Sequence, residues 1–133
     1  MMKAYISVSF SNRKVLDKEI TAITSTLNDL NISWLVFSDK YQFDVTQERQ
    51  MMEQAMADID NCDILIAETS YKAIGIGVEA GYAKAKGKKI IYLRHKNAEH
   101  STTVCGLSDV KIIYADTTDL KSQLAGILKN ITG

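Results

Sequence analysis

Proline is absent from this chain, cysteine occurs only twice, and neither sign of charge is in excess: sixteen lysines and arginines balance sixteen aspartates and glutamates. Each shortage excludes something. Without proline, and with no low-complexity stretch or internal repeat, nothing in the sequence marks a linker, so the 133 residues are expected to fold as a single domain spanning positions 1–133. The balanced charge provides no broad positive field, which argues against nucleic acid and against anionic lipid as partners. Cys62 and Cys105 match no metal or redox spacing, and the chain opens without a charged-then-apolar leader. A reducing, cytoplasmic setting is the expectation. No apolar run approaches the roughly 20 residues that crossing a bilayer requires, so no membrane segment is expected.

What is present is an alternation of two periods. Short apolar runs rich in β-branched and aromatic residues read as strands: Ala4 to Val8, Trp34 to Phe37, Ile64 to Ala67, Ile90 to Leu93 and Ile112 to Tyr114. Between them the spacing becomes helical. Leu16, Ile20, Ile23, Leu27 and Leu30 share one face, as do Met52, Ala55, Met56 and Ile59. A third helix is predicted from about Gly77 to Lys86. A fourth places Leu120, Leu124, Ile127 and Ile131 together, with Thr117 or Thr118 as its N-cap. Strands alternating with helices imply a parallel sheet, so the predicted fold is α/β. It is a doubly wound, flavodoxin-like or Rossmann-like sheet of five strands with helices on both faces, its strand order left open.

In such sheets the ligand lies outside the carboxyl ends of the strands. After the first strand come Ser7, Ser9, Ser11, Asn12 and Arg13, hydroxyls and a guanidinium suited to a sugar or phosphate; the plainer reading is helix capping by Ser11 or Asn12 with a solvated Arg13. After the third strand, Gly75 and Gly77 let backbone approach a ligand, and Glu79 falls in the first turn of the next helix. There the helix dipole favours the ionised carboxylate, available as a nucleophile. His95 and His100 have no companion ligands at metal spacing, so neither a metal nor another cofactor is expected. Asp58, Asp60 and Asp63 read as capping and solubility, and Met51, Met52 and Met56 as core filler or a subunit contact.

Several of these segments together resemble the nucleoside 2-deoxyribosyltransferases and their relatives, the 2-deoxynucleoside 5-phosphate N-glycosidases. Ala4-Tyr5-Ile6-Ser7 is similar to the family's first strand, Asn61 to Glu68 to its third, and Gly87-Lys88-Lys89-Ile90 to its entry into strand four. The most specific match is Gly75-Ile76-Gly77-Val78-Glu79-Ala80-Gly81-Tyr82-Ala83, which fits the pattern Gly-x-Gly-x-Glu-x-Gly-x-Ala. The resemblance implies that Glu79 attacks the anomeric carbon of a nucleoside or nucleoside 5-monophosphate while Tyr5 orients it. It also implies that Ser9 to Arg13, with Gly75 and Gly77, line the sugar and any 5-phosphate. Ser101, Thr102 or Thr103 would stand where relatives supply a serine to a neighbouring subunit, in a homodimer or larger assembly.

In one respect the chain departs from that pattern. The family's helical aspartate, eight residues before the position of Asp63, is Ala55 here. Glu68, Glu53 or Asp58 are the substitutes considered for protonating the leaving base, Glu53 and Asp58 being more simply the solvated face of their helix. A nucleotide-sensing module that has lost turnover is therefore a second expectation. A third is similarity to Toll/interleukin-receptor-type domains, some of which cleave NAD, suggested by Tyr5-Ile6-Ser7-Val8-Ser9 followed by a glutamate after strand three.

Overall fold

A computed structural model describes residues 1–132. Five strands form one parallel sheet: β1 (Lys3–Val8), β2 (Ser33–Val36), β3 (Ile64–Glu68), β4 (Lys89–His95) and β5 (Val110–Tyr114), in the order β2-β1-β3-β4-β5. This is the flavodoxin-like order, with its switch point between β1 and β3. The predicted runs coincide with all five strands. Phe37 is the one residue displaced, since it leaves β2 and opens a short helix, α2 (Phe37–Lys40).

Longer helices cover both faces. On one side lie α1 (Asp17–Asp29), entered through a 3-10 turn at Lys14–Leu16, and α6 (Thr117–Thr132). Leu16, Ile20, Ile23 and Leu27 interlock there with Leu120, Leu124 and Leu128 over Ile6, Ile64 and Ile66. Each such side chain withdrawn from water contributes about 1.5–3 kcal/mol. The other side holds α3 (Glu48–Asp60), α4 (Ile74–Ala85) and α5 (Thr102–Leu107). Ile59, Ile76, Ala80 and Val104 pack over Tyr5, Leu65, Ala67 and Tyr92 there.

Two local expectations are corrected. The cap of α6 is Asp116, whose carboxylate accepts from the Asp119 amide at 2.8 Å, while Thr117 and Thr118 lie inside the helix. Helix α4 starts at Ile74, not near Gly77, so both glycines occupy its opening turns. After β4, Thr102 and Thr103 begin the short helix α5. Among the described residues, left-handed backbone is confined to Asn31, just after α1, and Gly87, just after α4, where the chain reverses into the next strand. No helix among the described residues is long and apolar enough to cross a membrane.

Candidate active site

The register of the sheet decides which side chains meet. Tyr5 stands between Leu35 and Leu65, and Ser7 beside Ala67, so Tyr5 and Ser7 project from β1 toward the layer of α3 and α4. There both meet one residue of α4. The Tyr5 hydroxyl donates to Oε2 of Glu79, and the Ser7 hydroxyl donates to Oε1 at 2.6 Å. The carboxylate is thus held at both oxygens by groups 74 and 72 residues distant in sequence, next to the switch point of the sheet.

Burial pushes the Glu79 carboxyl above the ordinary carboxylate range, opposed by the hydrogen bonds from Ser7 and Tyr5. A first-turn position would push the other way, but α4 begins at Ile74, so Glu79 lies past that turn, where the dipole has faded and desolvation of the inward-turned side chain prevails. The Tyr5 hydroxyl is driven far upward by its own burial and then by the charge of Glu79, so it remains a donor at any physiological pH.

The other expected residues fall in several places. Ser9 is buried, and its hydroxyl accepts from the Asn12 side chain at 3.1 Å, while Ser11 is exposed; neither Ser11 nor Asn12 caps a helix. Arg13 is not a free cation. Its Nε and Nη2 grip both oxygens of Asp39 at 2.8 Å each, and Nη1 reaches Asp17 at 2.7 Å, which ties the β1–α1 loop to α2. Gly75 and Gly77 face open space: a Cβ built at either would meet no atom within 4 Å beyond its chain neighbours and the backbone of its own helix. Gly77 lines a cavity of about 380 Å³ with Lys72, Ser101, Thr102 and Thr103, so the hydroxyls of α5 share a hollow with the glycine turn of α4. Ser101 is anchored there by its amide, which donates to the hydroxyl of Tyr92 at 3.0 Å.

Glu68 is not brought to Glu79. It ends β3 on the opposite face, fully buried with Tyr114, whose hydroxyl donates to it at 2.6 Å; the Ser70 amide donates to its other oxygen at 2.6 Å. Burial pushes its carboxyl up, against these hydrogen bonds. Of the two helical acids, Glu53 is exposed as expected, but Asp58 is only 8 % exposed. One of its oxygens accepts from Gln54 at 3.0 Å and the other has no partner. Its charge is close enough to add to the upward push on Tyr5 and on the Cys62 thiol, which burial chiefly raises to about 11.

A parallel α/β sheet with a partly buried, doubly held carboxylate at its switch point, on a helix whose opening turns line a hollow at the strand ends, defines a class of small-molecule site. Residues 13–129 match the family model described as nucleoside 2-deoxyribosyltransferase, and the chain belongs to that family. Its fold is shared with the CMP N-glycosidase of Clostridium botulinum at 21 % identity, covering 92 % of this chain and 97 % of that one with a TM-score of 0.66. It is shared also with a 2-deoxyribosyltransferase from Bacillus psychrosaccharolyticus (17 % identity, 90 % of each chain, TM-score 0.69). A conserved protein of Enterococcus faecalis V583 is similar as well (14 % identity, 96 % of this chain and 99 % of that one, TM-score 0.72). No curated protein sequence matches the chain at a significant level.

Proposed function

We propose that this protein breaks or exchanges the N-glycosidic bond of a nucleoside or nucleoside 5-monophosphate, with Glu79 as nucleophile. The observation that carries the reading is the carboxylate of Glu79 received by two hydroxyls of β1, Tyr5 and Ser7, one on each oxygen. Two donors fix the direction of attack and keep the anion populated in a setting whose burial disfavours it. A Glu79 oxygen bonds to the anomeric carbon as the bond to the base nitrogen breaks. Water or a second base then displaces the carboxylate, so configuration is retained over two inversions, as in retaining glycoside hydrolysis.

The glycines fit this reading. Two glycines in the opening turns of a helix cost about 0.5–1 kcal/mol each relative to alanine, and no atom of the chain demands them. The demand then comes from a ligand seated against the backbone of α4 and in the cavity with Ser101 and Thr103.

The departing base needs a proton, and Ala55 carries none. Of the three substitute acids, Glu53 is solvated and Glu68 is on the far face; Asp58 alone is buried on the Glu79 side, with one oxygen unengaged. We assign the proton to Asp58, held by Gln54, and give Glu68 a bracing role between the ends of β3 and β5.

Incubating the protein with a panel of 2-deoxynucleosides, ribonucleosides and their 5-monophosphates, with and without an acceptor base, tests the proposal by release or exchange of base. Activity in the wild type that vanishes in Glu79→Ala supports it, and activity that survives this change removes Glu79 from the role. Saturable nucleotide binding without product would convert the site into a sensor.

A further inference from the structure

Two loops wall the hollow that Gly77 shares with the hydroxyls of α5. The loop between β3 and α4 contributes Thr69 and Lys72, and the loop between β4 and α5 contributes Ser101. Among the described residues, Lys72 is the one charged side chain of that lining. Its ammonium is already engaged: it donates to Oε1 of Glu99 at 3.0 Å, reaching from one loop to the other. Both loops are anchored close to where the pair springs from them. The Ser70 hydroxyl accepts from the His95 amide at 2.9 Å, and the Thr69 hydroxyl donates to the Leu93 carbonyl at 2.9 Å. Across the hollow, Nη1 of Arg94 donates to the Ala98 carbonyl at 2.7 Å, and the Ser101 amide is held by Tyr92. Glu99 therefore stands between two fixed points of its loop.

A 5-phosphate on the substrate carries about 1.5 to 2 negative charges at neutral pH. The opening turn of α4 would favour an anion in the hollow, so the outcome turns on whether a cation is free to match it. Arg13 is held by Asp39 and Asp17, and Lys72 by Glu99. We infer that the Lys72–Glu99 ion pair sets the phosphate specificity of the site: Glu99 occupies the place on Lys72 that a phosphate would take, so the nucleoside is processed in preference to its 5-monophosphate. The inference rests on the reaction proposed above and adds to it the choice between its two substrate forms and the residues that make that choice. A phosphate entering the hollow has to displace Glu99 from Lys72 and then lie near a carboxylate still tethered to the same loop. An uncharged 5-hydroxyl meets neither obstacle.

The test measures kcat/KM for a 2-deoxynucleoside and for its 5-monophosphate in the wild type, Glu99→Gln and Glu99→Lys, at low and at high ionic strength. The Glu99 side chain is 80 % exposed, and thermal unfolding checks that each variant is folded. Two unit charges about 4 Å apart in water shift an equilibrium about fivefold. The monophosphate-to-nucleoside ratio should therefore rise about 5- to 25-fold in Glu99→Gln and further in Glu99→Lys, with the gain shrinking as salt is added. A wild type that prefers the monophosphate overturns the inference, as does a ratio that Glu99→Gln leaves in place or a gain that salt does not touch. Binding of 2-deoxyribose 5-phosphate to the same proteins, measured by equilibrium dialysis, separates this inference from the catalytic reading. Tighter binding in Glu99→Gln than in a wild type that turns over neither substrate keeps the ion-pair role and sinks the catalytic reading. Turnover by the wild type with an unchanged ratio in the variants does the reverse. If the wild type turns over nothing and all three proteins bind the sugar phosphate equally, both fall.

Discussion

Replacing Tyr5 by phenylalanine isolates one of the two hydrogen bonds that hold the Glu79 carboxylate. The ring is fully buried and stacked on Phe37, and phenylalanine preserves that packing while leaving Oε2 of Glu79 without its donor. A hydrogen bond to a charged group contributes about 1.5–3 kcal/mol, and each pH unit of displacement corresponds to about 1.4 kcal/mol. The donor holds the Glu79 carboxyl down against burial, so its loss moves the carboxyl further up. The acid limb of kcat/KM for base release should therefore move to higher pH by about one to two units. Ser7→Ala, which strips Oε1, moves the limb in the same direction, and with both donors gone the anion is scarce at neutral pH. The assay is a pH–rate profile between about pH 4 and 9 with base release followed by absorbance. An acid limb that stays in place while turnover falls would refute the reasoning, because Tyr5 would then act on the substrate and not on the carboxylate.

Gly77→Ala should raise the melting temperature, since alanine favours the helix by about 0.5–1 kcal/mol and its methyl meets nothing in the chain. It should also lower nucleoside turnover; undiminished turnover would mean no ligand approaches that turn. Arg13→Ala breaks partly exposed ion pairs and should cost only about 0.5–1 kcal/mol, a drop of about 2–4 °C in calorimetry. A free phosphate-binding arginine would instead spare stability and damage KM for 5-monophosphates alone. Glu68 has a raised folded-state pKa, so the stability it permits is full below its unfolded value of 4.5 and declines as pH rises through the folded value. Denaturant midpoints of Glu68→Gln should lose that part of the decline, and an unchanged pH slope would show the carboxyl is not the source. Asp58→Asn, nearly isosteric, should slow the release of poorly departing bases while sparing 2-deoxyribosyl fluoride, and an equal effect on both would remove it as proton donor.

Much of this arrangement is written in the residue order. The five strands follow from apolar runs such as Ile64 to Ala67 and Ile90 to Leu93, whose two faces are both covered, and α1 and α6 follow from their leucine and isoleucine stripes. Glu79 and Tyr5 are legible as a pair through the glycine-spaced segment and the first strand. Ser7 was legible as a residue at this end of the sheet, but not its hydrogen bond to the Glu79 carboxylate. What could not be read were relations that only tertiary contact creates. Arg13 offers Asp17 at helical spacing, yet its stronger grip is on Asp39, 26 residues away. Asp58 follows Ala55 by three residues and precedes the buried Ile59, so helical spacing already set it at the edge of the buried stripe.

Glu68 shows why the face of a buried strand resists reading. Ile64 to Ala67 is apolar at every position, so alternation marks no inner or outer side, and only the pairing of Tyr5 with Leu65 assigns odd residues to one helical layer and even ones to the other. Two glutamates eleven positions apart are thereby given opposite work. Both are buried enough to be pushed upward, and both accept two hydrogen bonds. Glu68 is enclosed among Tyr114, Ser70 and the core of α1 and α6, where nothing from solvent can reach it, so its hydrogen bonds only brace the sheet. Glu79 stands on a helix whose opening glycines leave free space, beside a hydroxyl-lined hollow, and the same two-donor grip there aims a carboxylate instead of burying one. Access, more than pKa, separates the acid proposed to react from the structural one.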